Sequence, residues 1–347
     1  MLQRRADQTL IDRIGRVRSG LAGTPLMPLA DDELDLLAKL EFCNPTGSSK
    51  DRSALWILDR AIHRGEITRD TTVVESSSGN FALALAFYCR MLGIPFVPVI
   101  DPNCSEATEA QLRLLCRRVE KVSTHDAAGG YLRTRLARVQ DLLVELGNAY
   151  WPNQYANPDA RDAHYRFTAA ELIAEAGPID HLFVGVGTGG TIAGVSRRIK
   201  EAFPACVVVA VDTEGSVIFG GPPKKRRIPG IGSSIVPPLC EQAVIDEVEI
   251  VPEARAVEAA APWSSGTAST RAVPPAASTP PSAATSPATA PARAAPGWPS
   301  SPRTGSRLRQ DRLQRRLVPP AAHGRGPGPA RARAGRQLKE NDLPCPP

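Results

Sequence analysis

Short apolar runs alternate with longer segments of helical spacing along the first 260 residues of the chain. The short runs predict strands at residues 35–40, 72–75, 95–100, 119–123, 181–186 and 207–212. Apolar residues three or four positions apart predict helices at residues 10–17, 50–62, 81–92, 105–117 and 132–146, and a further helix that ends near residue 203. Strands that alternate with helices of this length are typical of an α/β fold with parallel strands.

This pattern stops near residue 261. Beyond it Pro, Ala, Ser, Thr, Gly and Arg dominate, and 17 of the 33 prolines lie in residues 262–347. A segment of this composition cannot bury enough apolar surface to offset its chain entropy. The sequence therefore predicts an unstructured tail at residues 261–347.

The net charge of +6 is unevenly distributed between these two parts. Residues 262–347 carry 12 Arg and one Lys against three acidic residues, a net of +10, so residues 1–261 carry a net of −4. The part predicted to fold is mildly acidic and has no nucleic-acid footprint.

Targeting and metal signals are equally weak. The N-terminus lacks the apolar core of a signal peptide, and no apolar run is long enough to span a membrane. The seven cysteines have neither CxxC nor Cys/His metal spacing, so reduced thiols are the simplest account. We expect a cytoplasmic protein without a metal site, a nucleic-acid partner or a membrane anchor.

The turn before the predicted helix at 50–62 carries the first candidate for chemistry. From Asn44 to Arg52 it reads Asn-Pro-Thr-Gly-Ser-Ser-Lys-Asp-Arg, with proline and glycine typical of a turn and serines that can cap a helix. In this segment, the lysine turn, Lys50 lies beside unpaired N–H groups and the positive end of the helix dipole. Both lower its pKa, which suits a nucleophile or a base. For an isolated Ser-Ser-Lys, an ordinary solvated lysine would be the simpler interpretation.

A glycine-rich segment between the predicted strand at 181–186 and the next helix is the second candidate. Its N–H groups can approach an anion, its threonines add hydroxyl donors, and the helix N-terminus favours negative charge. No Lys-Ser/Thr pair follows, so it is not a Walker loop; a tight turn without a ligand is the alternative. We call it the glycine loop, and its residues are Gly187, Thr188, Gly189, Gly190 and Thr191.

The third candidate follows the predicted strand at 72–75 and again leads into a helix. It is rich in small hydroxyl side chains, which could act as nothing more than a helix cap. We call it the serine turn, and its residues are Ser77, Ser78, Gly79 and Asn80.

In their order along the chain, the lysine turn, the serine turn and the glycine loop resemble the motifs of the cysteine synthase superfamily, the fold-type II enzymes that use pyridoxal 5′-phosphate. The resemblance implies a two-lobed α/β enzyme, similar to the tryptophan synthase β chain, with the cofactor in the cleft between the lobes. It implies that Lys50 holds pyridoxal phosphate as a Schiff base and that the glycine loop cradles its phosphate. The serine turn would bind the substrate carboxylate, with Asn80 bonded to the 3′-oxygen of the cofactor.

Longer motifs at 129–140, 149–157, 211–220 and 229–237 resemble one subgroup, whose members make N-(2-amino-2-carboxyethyl)-L-glutamate for the synthesis of 2,3-diaminopropionate, a building block of siderophores and antibiotics. The implied reaction is β-replacement on O-phospho-L-serine, with L-glutamate as the nucleophile. Because both amino acids carry an extra anionic group, a cation beyond the serine turn is needed. Arg135 is the candidate by its position in the subgroup motif, and a solvated arginine on an amphipathic helix is the alternative. Gln154 and Tyr155 are expected to contact the substrate.

The sequence differs from the motifs of this subgroup in two places, so other substrates remain possible alternatives. The glycine loop matches cysteine synthases, whereas Ser-Thr-Thr-Gly-Ser is expected in the siderophore enzymes, and Thr46-Gly47 replaces the Gly-Gly of many relatives. A cysteine synthase that uses O-acetylserine or O-phosphoserine with sulfide is therefore the first alternative. An inactive binding protein of the same fold with a basic tail is the second.

The resemblance also implies an organisation. Residues 1–43 and 146–260 would form the larger, cofactor-binding lobe, and residues 44–145 the smaller, mobile lobe. Enzymes of this superfamily are usually homodimers, so we expect a homodimer that acts on small-molecule amino acids.

We interpret residues 261–347 as encoded out of frame, because the resemblance ends where the composition changes. Relatives continue with an apolar helix and a loop similar to Ala-Gly-Gly-Ser-Thr-Gly-Ser, and the codons for 270–277 are compatible with such a loop in a shifted frame. A genuine unstructured tail is the alternative. On the first interpretation the residue that pairs with the pyridine nitrogen is missing and activity is weak or absent. Resequencing codons 255–280 tests it.

Overall fold

The computed structural model describes residues 7–29, 34–126 and 129–264, with residues 261–264 described by their backbone alone. Its α-helices are α1 (Gln8–Ser19), α2 (Lys50–His63), α3 (Asn80–Leu92), α4 (Glu106–Leu115), α5 (Leu132–Leu146), α6 (Pro158–Ala163), α7 (Ala169–Ala176), α8 (Gly190–Ala202) and α9 (Glu253–Ser264). Its strands are β1 (Leu26–Pro28), β2 (Leu37–Lys39), β3 (Thr72–Ser76), β4 (Phe96–Ile100), β5 (Glu120–Lys121), β6 (Ala149–Tyr150), β7 (His181–Gly185), β8 (Val207–Thr213) and β9 (Glu247–Val251). Residues 265–347, on which the frame interpretation rests, lie outside the described part.

The first main sheet is parallel, with the strand order β5-β4-β3-β6. Val74 and Val99 pack on α5 on one face, whereas Val73 and Ile100 belong to the core that α2 and α3 build on the other. Burial on both faces explains why β4 is apolar along its whole length, as parallel strands require.

The second main sheet, also parallel, has the order β7-β8-β9. Val195 and Ile199 of α8 pack with Leu172 of α7 in one of its two cores. Outside these cores Phe183 of β7 remains 51% exposed. The glycine loop follows β7 directly, so this sheet determines where the loop lies.

The predicted α/β class with parallel strands is confirmed. β6 joins the sheet of β3 although it follows residue 145, and the division into two lobes at 44–145 stays a prediction. The strand predicted at 35–40 forms, as β2, an antiparallel ribbon with β1.

The hydrophobic pattern does not predict the helical run from α6 to α7. A π-helical turn at His164–Thr168 lies between these two helices. Such a turn inserts a residue and shifts the phase of the apolar positions, so the 3.6-residue period is lost. β9 is also absent from the predicted strands, because it is only partly buried and its glutamates at 247 and 249 interrupt the apolar pattern.

Helix α2 is held by a buried cluster of charges. Arg52 is paired with Glu41 at 2.8 Å and with Glu171 of α7 at 2.6 Å, and its side chain is 8% exposed. Arg52 also donates to Thr24 Oγ1 at 2.8 Å. The guanidinium thus connects the first turn of α2 to the chain before it and to α7.

We expect the Arg52→Ala variant to lose about 3–5 kcal/mol of unfolding free energy, because Glu41 would lose its cationic partner in a largely buried site and Glu171 would keep only Lys39. Urea unfolding of the full-length chain measures the loss. Arg113→Ala is the matched control, since Arg113 pairs with Glu109 on an exposed face of α4 and is expected to change little. Equal effects of the two substitutions would contradict the role of the cluster.

Candidate active site

The lysine turn is closed by a buried carboxylate. Asp51 accepts hydrogen bonds from Thr46 N at 3.1 Å and Thr46 Oγ1 at 2.6 Å, and from the Tyr88 hydroxyl at 2.9 Å. Ser48 Oγ accepts from the N–H of Lys50 at 3.3 Å. These contacts place Lys50 at the first position of α2, as the sequence predicts.

The ammonium group of Lys50 lies in an unfavourable environment. Burial lowers its pKa, and the negative charge of Glu41 opposes this shift. The sequence argument relied on the helix N-terminus, whereas burial is the larger cause in the structure. A lowered pKa leaves more of the neutral, nucleophilic amine at a given pH.

The glycine loop forms the N-terminus of α8. Gly189 has φ +85°, and a Cβ there would lie 2.7 Å from Cys240 Sγ, so only glycine fits. Among the described residues, no side chain caps this helix. Its first N–H groups are therefore available for an anion.

His164 connects the lysine helix to the glycine loop. Its Nε2 lies 3.1 Å from Ser53 Oγ of α2 and 3.2 Å from Thr191 Oγ1 of the loop. Its Nδ1 lies 2.9 Å from Thr168 Oγ1. Burial lowers the pKa of His164 well below its ordinary value, and the charges of Lys50 and Arg52 add to the effect, so the ring is neutral near pH 7. One imidazole thus sets the spacing between Lys50 and the predicted phosphate cradle.

Sequence reasoning missed His164. Only the Asn157-Pro158 helix start is visible in the sequence, and it indicates the helix but not the role of this histidine. The contacts depend on residues that lie 111 and 27 positions away.

The serine turn lies at the carboxyl end of β3 and leads into α3. Ser77 is buried, and Ser78 Oγ accepts a hydrogen bond from the N–H of Asp101 at 3.1 Å. Asn80, the first residue of α3, is exposed. Among the described residues, no side chain caps α3, so this turn also offers N–H groups to an anion.

Arg135 is directed at this turn. Its Nη1 donates to Ser78 Oγ at 3.0 Å, and its Nε lies 3.1 Å from Asp101 Oδ2. The side chain is 12% exposed. The arginine is thus packed against the serine turn, and the alternative of a solvated arginine does not describe it.

The other two predicted substrate contacts lie on the neighbouring turn. The side-chain amide of Gln154 donates to the Ser76 carbonyl at 3.3 Å. Burial raises the pKa of Tyr155, which keeps its phenol neutral, and Arg135 is one of the charges that act on it. The structure therefore brings Ser77, Arg135, Gln154 and Tyr155 to the same end of β3.

These features fit one kind of group: a carbonyl cofactor that carries a phosphate. A lysine of lowered pKa can bond to the carbonyl, and an uncapped helix joined to it through His164 can hold the phosphate. The described residues contain no group of three or more His, Cys, Asp or Glu that could hold a metal ion. The fold and the site define a lysine-dependent cofactor enzyme of the α/β class.

The family of pyridoxal-phosphate dependent enzymes matches residues 17–264. The chain belongs to this family, and its cofactor is pyridoxal 5′-phosphate. The match supports an enzyme and gives no support to an inactive binding protein.

Two relatives carry the same name, N-(2-amino-2-carboxyethyl)-L-glutamate synthase. The protein from Cupriavidus metallidurans is 44% identical over 233 residues, which cover 66% of this chain and 68% of the relative. The protein from Ralstonia nicotianae is 42% identical over 246 residues, which cover 70% of this chain and 71% of the relative. The chain is thus a synthase of the pyridoxal-phosphate-dependent β-replacement class.

Solved structures show the same fold. An O-acetylserine dependent cystathionine β-synthase from Helicobacter pylori aligns with a TM-score of 0.63 at 29% identity, over 72% of this chain and 81% of that one. A hydrogen sulfide-producing enzyme from Fusobacterium nucleatum aligns with a TM-score of 0.67 at 28% identity, over 73% of this chain and 78% of that one. Within the described residues, no helix combines the length and apolar character needed to cross a bilayer.

We expect His164→Ala to weaken the binding of pyridoxal phosphate about tenfold, because the Ser53 and Thr191 hydroxyls lose a shared partner worth about 1–1.5 kcal/mol. Titration of the apoprotein with the cofactor, followed by absorbance, measures the change. His181→Ala is the control, since His181 is exposed on β7. Unchanged affinity in the His164 variant would show that the bridge does not support the cofactor site.

Proposed function

We propose that this enzyme carries out β-replacement on O-phospho-L-serine with the amine of L-glutamate as nucleophile. The product would be N-(2-amino-2-carboxyethyl)-L-glutamate, for the synthesis of 2,3-diaminopropionate. The names of two relatives at 44% and 42% identity support this reaction. The observation that carries it is the position of Arg135, which adds a cation to the turn that binds the substrate carboxylate.

Each motif has a part in this proposal. When bound, pyridoxal phosphate supplies the electron sink for chemistry at the α-carbon of an amino acid. The amine of Lys50 would take the proton from that carbon, which its lowered pKa permits. The glycine loop would hold the cofactor phosphate, and Asn80 its 3′-oxygen. The serine turn, with Gln154 beside it, would orient the substrate carboxylate.

Arg135 would bind the second anionic group of the substrate. A guanidinium has five N–H donors in a planar fork, so it can keep Asp101 at its Nε edge while another edge faces a ligand. The positive charge of Arg135 also acts on the neutral phenol of Tyr155, whose pKa burial raises and this charge lowers. Together they would favour substrates with an anion beyond the α-carboxylate.

A cysteine synthase is the second candidate. The Gly-Thr-Gly-Gly-Thr sequence of the glycine loop favours it, and the structural neighbours include an O-acetylserine dependent enzyme and a hydrogen sulfide-producing enzyme. Sulfide has no carboxylate, so this reaction makes no use of a second anion site.

We further propose that the protein is a cytoplasmic homodimer, as is usual for this superfamily. Analytical ultracentrifugation of the full-length chain tests the oligomeric state.

Borohydride reduction of the cofactor-loaded chain is expected to attach the pyridoxyl group to Lys50, because the pKa of this amine is lowered and its helix faces the glycine loop. Peptide mass spectrometry locates the modified residue. Lys39, a largely buried lysine paired with Glu171 and Glu175, is the internal control. A pyridoxyl group on Lys39, or on any other lysine, would overturn the site.

Arg135→Ala is expected to weaken the binding of O-phosphoserine and glutamate by about 10–100-fold, since a hydrogen bond to a charged group contributes about 1.5–3 kcal/mol. Calorimetric titration of the cofactor-loaded chain measures this loss. Arg133→Ala serves as the control, because Arg133 is exposed on the same helix. If the Arg135 variant kept its affinity for glutamate, the cysteine synthase assignment would be favoured.

A further inference from the structure

A buried carboxylate lies beneath the serine turn, and neither the mechanism nor the sequence motifs account for it. Glu75 is the last residue but one of β3, and its side chain is excluded from solvent. Its Oε1 accepts hydrogen bonds from Ser76 N at 2.8 Å and from Trp151 Nε1 at 3.2 Å. The N–H groups of Gln154 and Asn153 also favour its charged form, whereas Oε2 has no hydrogen-bond partner among the described residues.

These donors belong to two different parts of the site. Ser76 leads into the serine turn, whereas the other three donors belong to residues 151–154, just before Tyr155. A hydrogen bond in the other direction also joins these two parts, because the side-chain amide of Gln154 donates to the Ser76 carbonyl at 3.3 Å. One carboxyl group therefore connects the two turns that hold the predicted substrate contacts.

The second turn needs such support. Asn153 has φ +49°, and within the described residues it is the one non-glycine residue with positive φ. Asparagine tolerates this left-handed conformation better than most residues, but still at some energetic cost. The negative charge of Glu75, which the N–H groups of Asn153 and Gln154 favour, would offset that cost.

We propose that Glu75 is a positioning residue that fixes the distance between the serine turn and residues 151–155, and so determines the affinity for the amino-acid substrate. The inference rests on the proposed function of these two turns. It assigns Glu75 no contact with the substrate, because its carboxylate is directed at the backbone beneath them.

The charge state of Glu75 makes this role dependent on pH. Burial raises its pKa to about 7, while the four N–H donors oppose that shift. As pH rises through about 7, Glu75 ionises and its negative charge attracts these N–H groups more strongly; below it, the protonated carboxyl attracts them less. Substrate affinity should therefore increase with pH. The stability contribution has the opposite sign, since a carboxyl with a raised pKa in the folded state disfavours folding increasingly as pH rises from its ordinary range to about 7.

The segments next to Glu75 place few titratable side chains near it. β4, which pairs with β3, contributes no titratable side chain, because its sequence is Phe-Val-Pro-Val-Ile. Tyr155 is the titratable neighbour on the second turn, and burial raises its pKa, so it stays neutral in this range. Arg135, Arg226 and Asp101 act on Tyr155.

The Glu75→Gln variant removes the negative charge of the side chain and keeps nearly the same shape. The amide can still accept from Ser76 and Trp151 at its oxygen, but its NH₂ group faces N–H donors that it cannot pair with. Asp59→Asn is the matched control, because Asp59 is equally buried, has one oxygen without a hydrogen-bond partner among the described residues, and lies on α2 beside Arg18 and His63.

The first measurement is the dissociation constant of O-phosphoserine for the cofactor-loaded, full-length chain, about one pH unit below and above the pKa of Glu75. The wild-type chain should bind several-fold more tightly at the higher pH. The Glu75→Gln variant should bind about tenfold more weakly there and keep only the smaller pH dependence that comes from the substrate phosphate, whose second pKa is about 6, with the affinity for pyridoxal phosphate unchanged. Asp59→Asn should keep the wild-type profile.

The second measurement needs no substrate. Amide hydrogen exchange at residues 153 and 154 should be faster in Glu75→Gln than in the wild-type chain or in Asp59→Asn. If the wild-type chain binds no O-phosphoserine, the proposed function fails, and the exchange data still decide the connection between the turns. Wild-type exchange rates in the Glu75 variant would overturn the inference. So would an equal loss of affinity for substrate and cofactor, which indicates a general structural defect.

Discussion

The ion cluster around Arg52 is the constraint on which the site depends most. Arg52 lies two residues after Lys50, and its guanidinium holds Glu41 and Glu171 in a region with little solvent. Buried charges of this kind are stable only as a set, because each one without its partner carries a large desolvation cost. The cluster therefore fixes the start of α2, and with it Lys50, the proposed cofactor lysine. It also places the negative charge of Glu41 where it limits the lowering of the Lys50 pKa.

Two anion sites follow from the same structural rule. Both α3 and α8 begin directly after a parallel strand, and neither has a side-chain cap among the described residues. Helix N-termini of this kind attract negative charge without needing a lysine or arginine. The glycine loop and the serine turn thus each offer uncapped N–H groups that suit the proposed phosphate and carboxylate sites, and His164 lies between the glycine loop and the lysine helix.

A cation is needed only when the substrate carries a further anion. Arg135 provides it at the serine turn, but Asp101 and Ser78 already bind the same guanidinium. Ligand binding must therefore share these contacts, which favours a substrate whose geometry fits the remaining edge of the guanidinium. In the proposed function, this shared network would separate a site for glutamate or phosphoserine from one for sulfide.

The sequence by itself determined most of the helices and strands, and the motifs that depend on neighbouring residues. The turn before Lys50, the glycine loop and the serine turn were found because proline, glycine and serine act within a few positions along the chain. The tertiary structure alone decided the sheet order, the π-helical turn at His164–Thr168, and the partners of Arg52, His164 and Glu75. Arg52 meets Glu171 across 119 positions of sequence, and no local pattern records such a pairing. Contacts of this kind arise only when packed elements bring distant polar groups into a region without water, where each must find a partner.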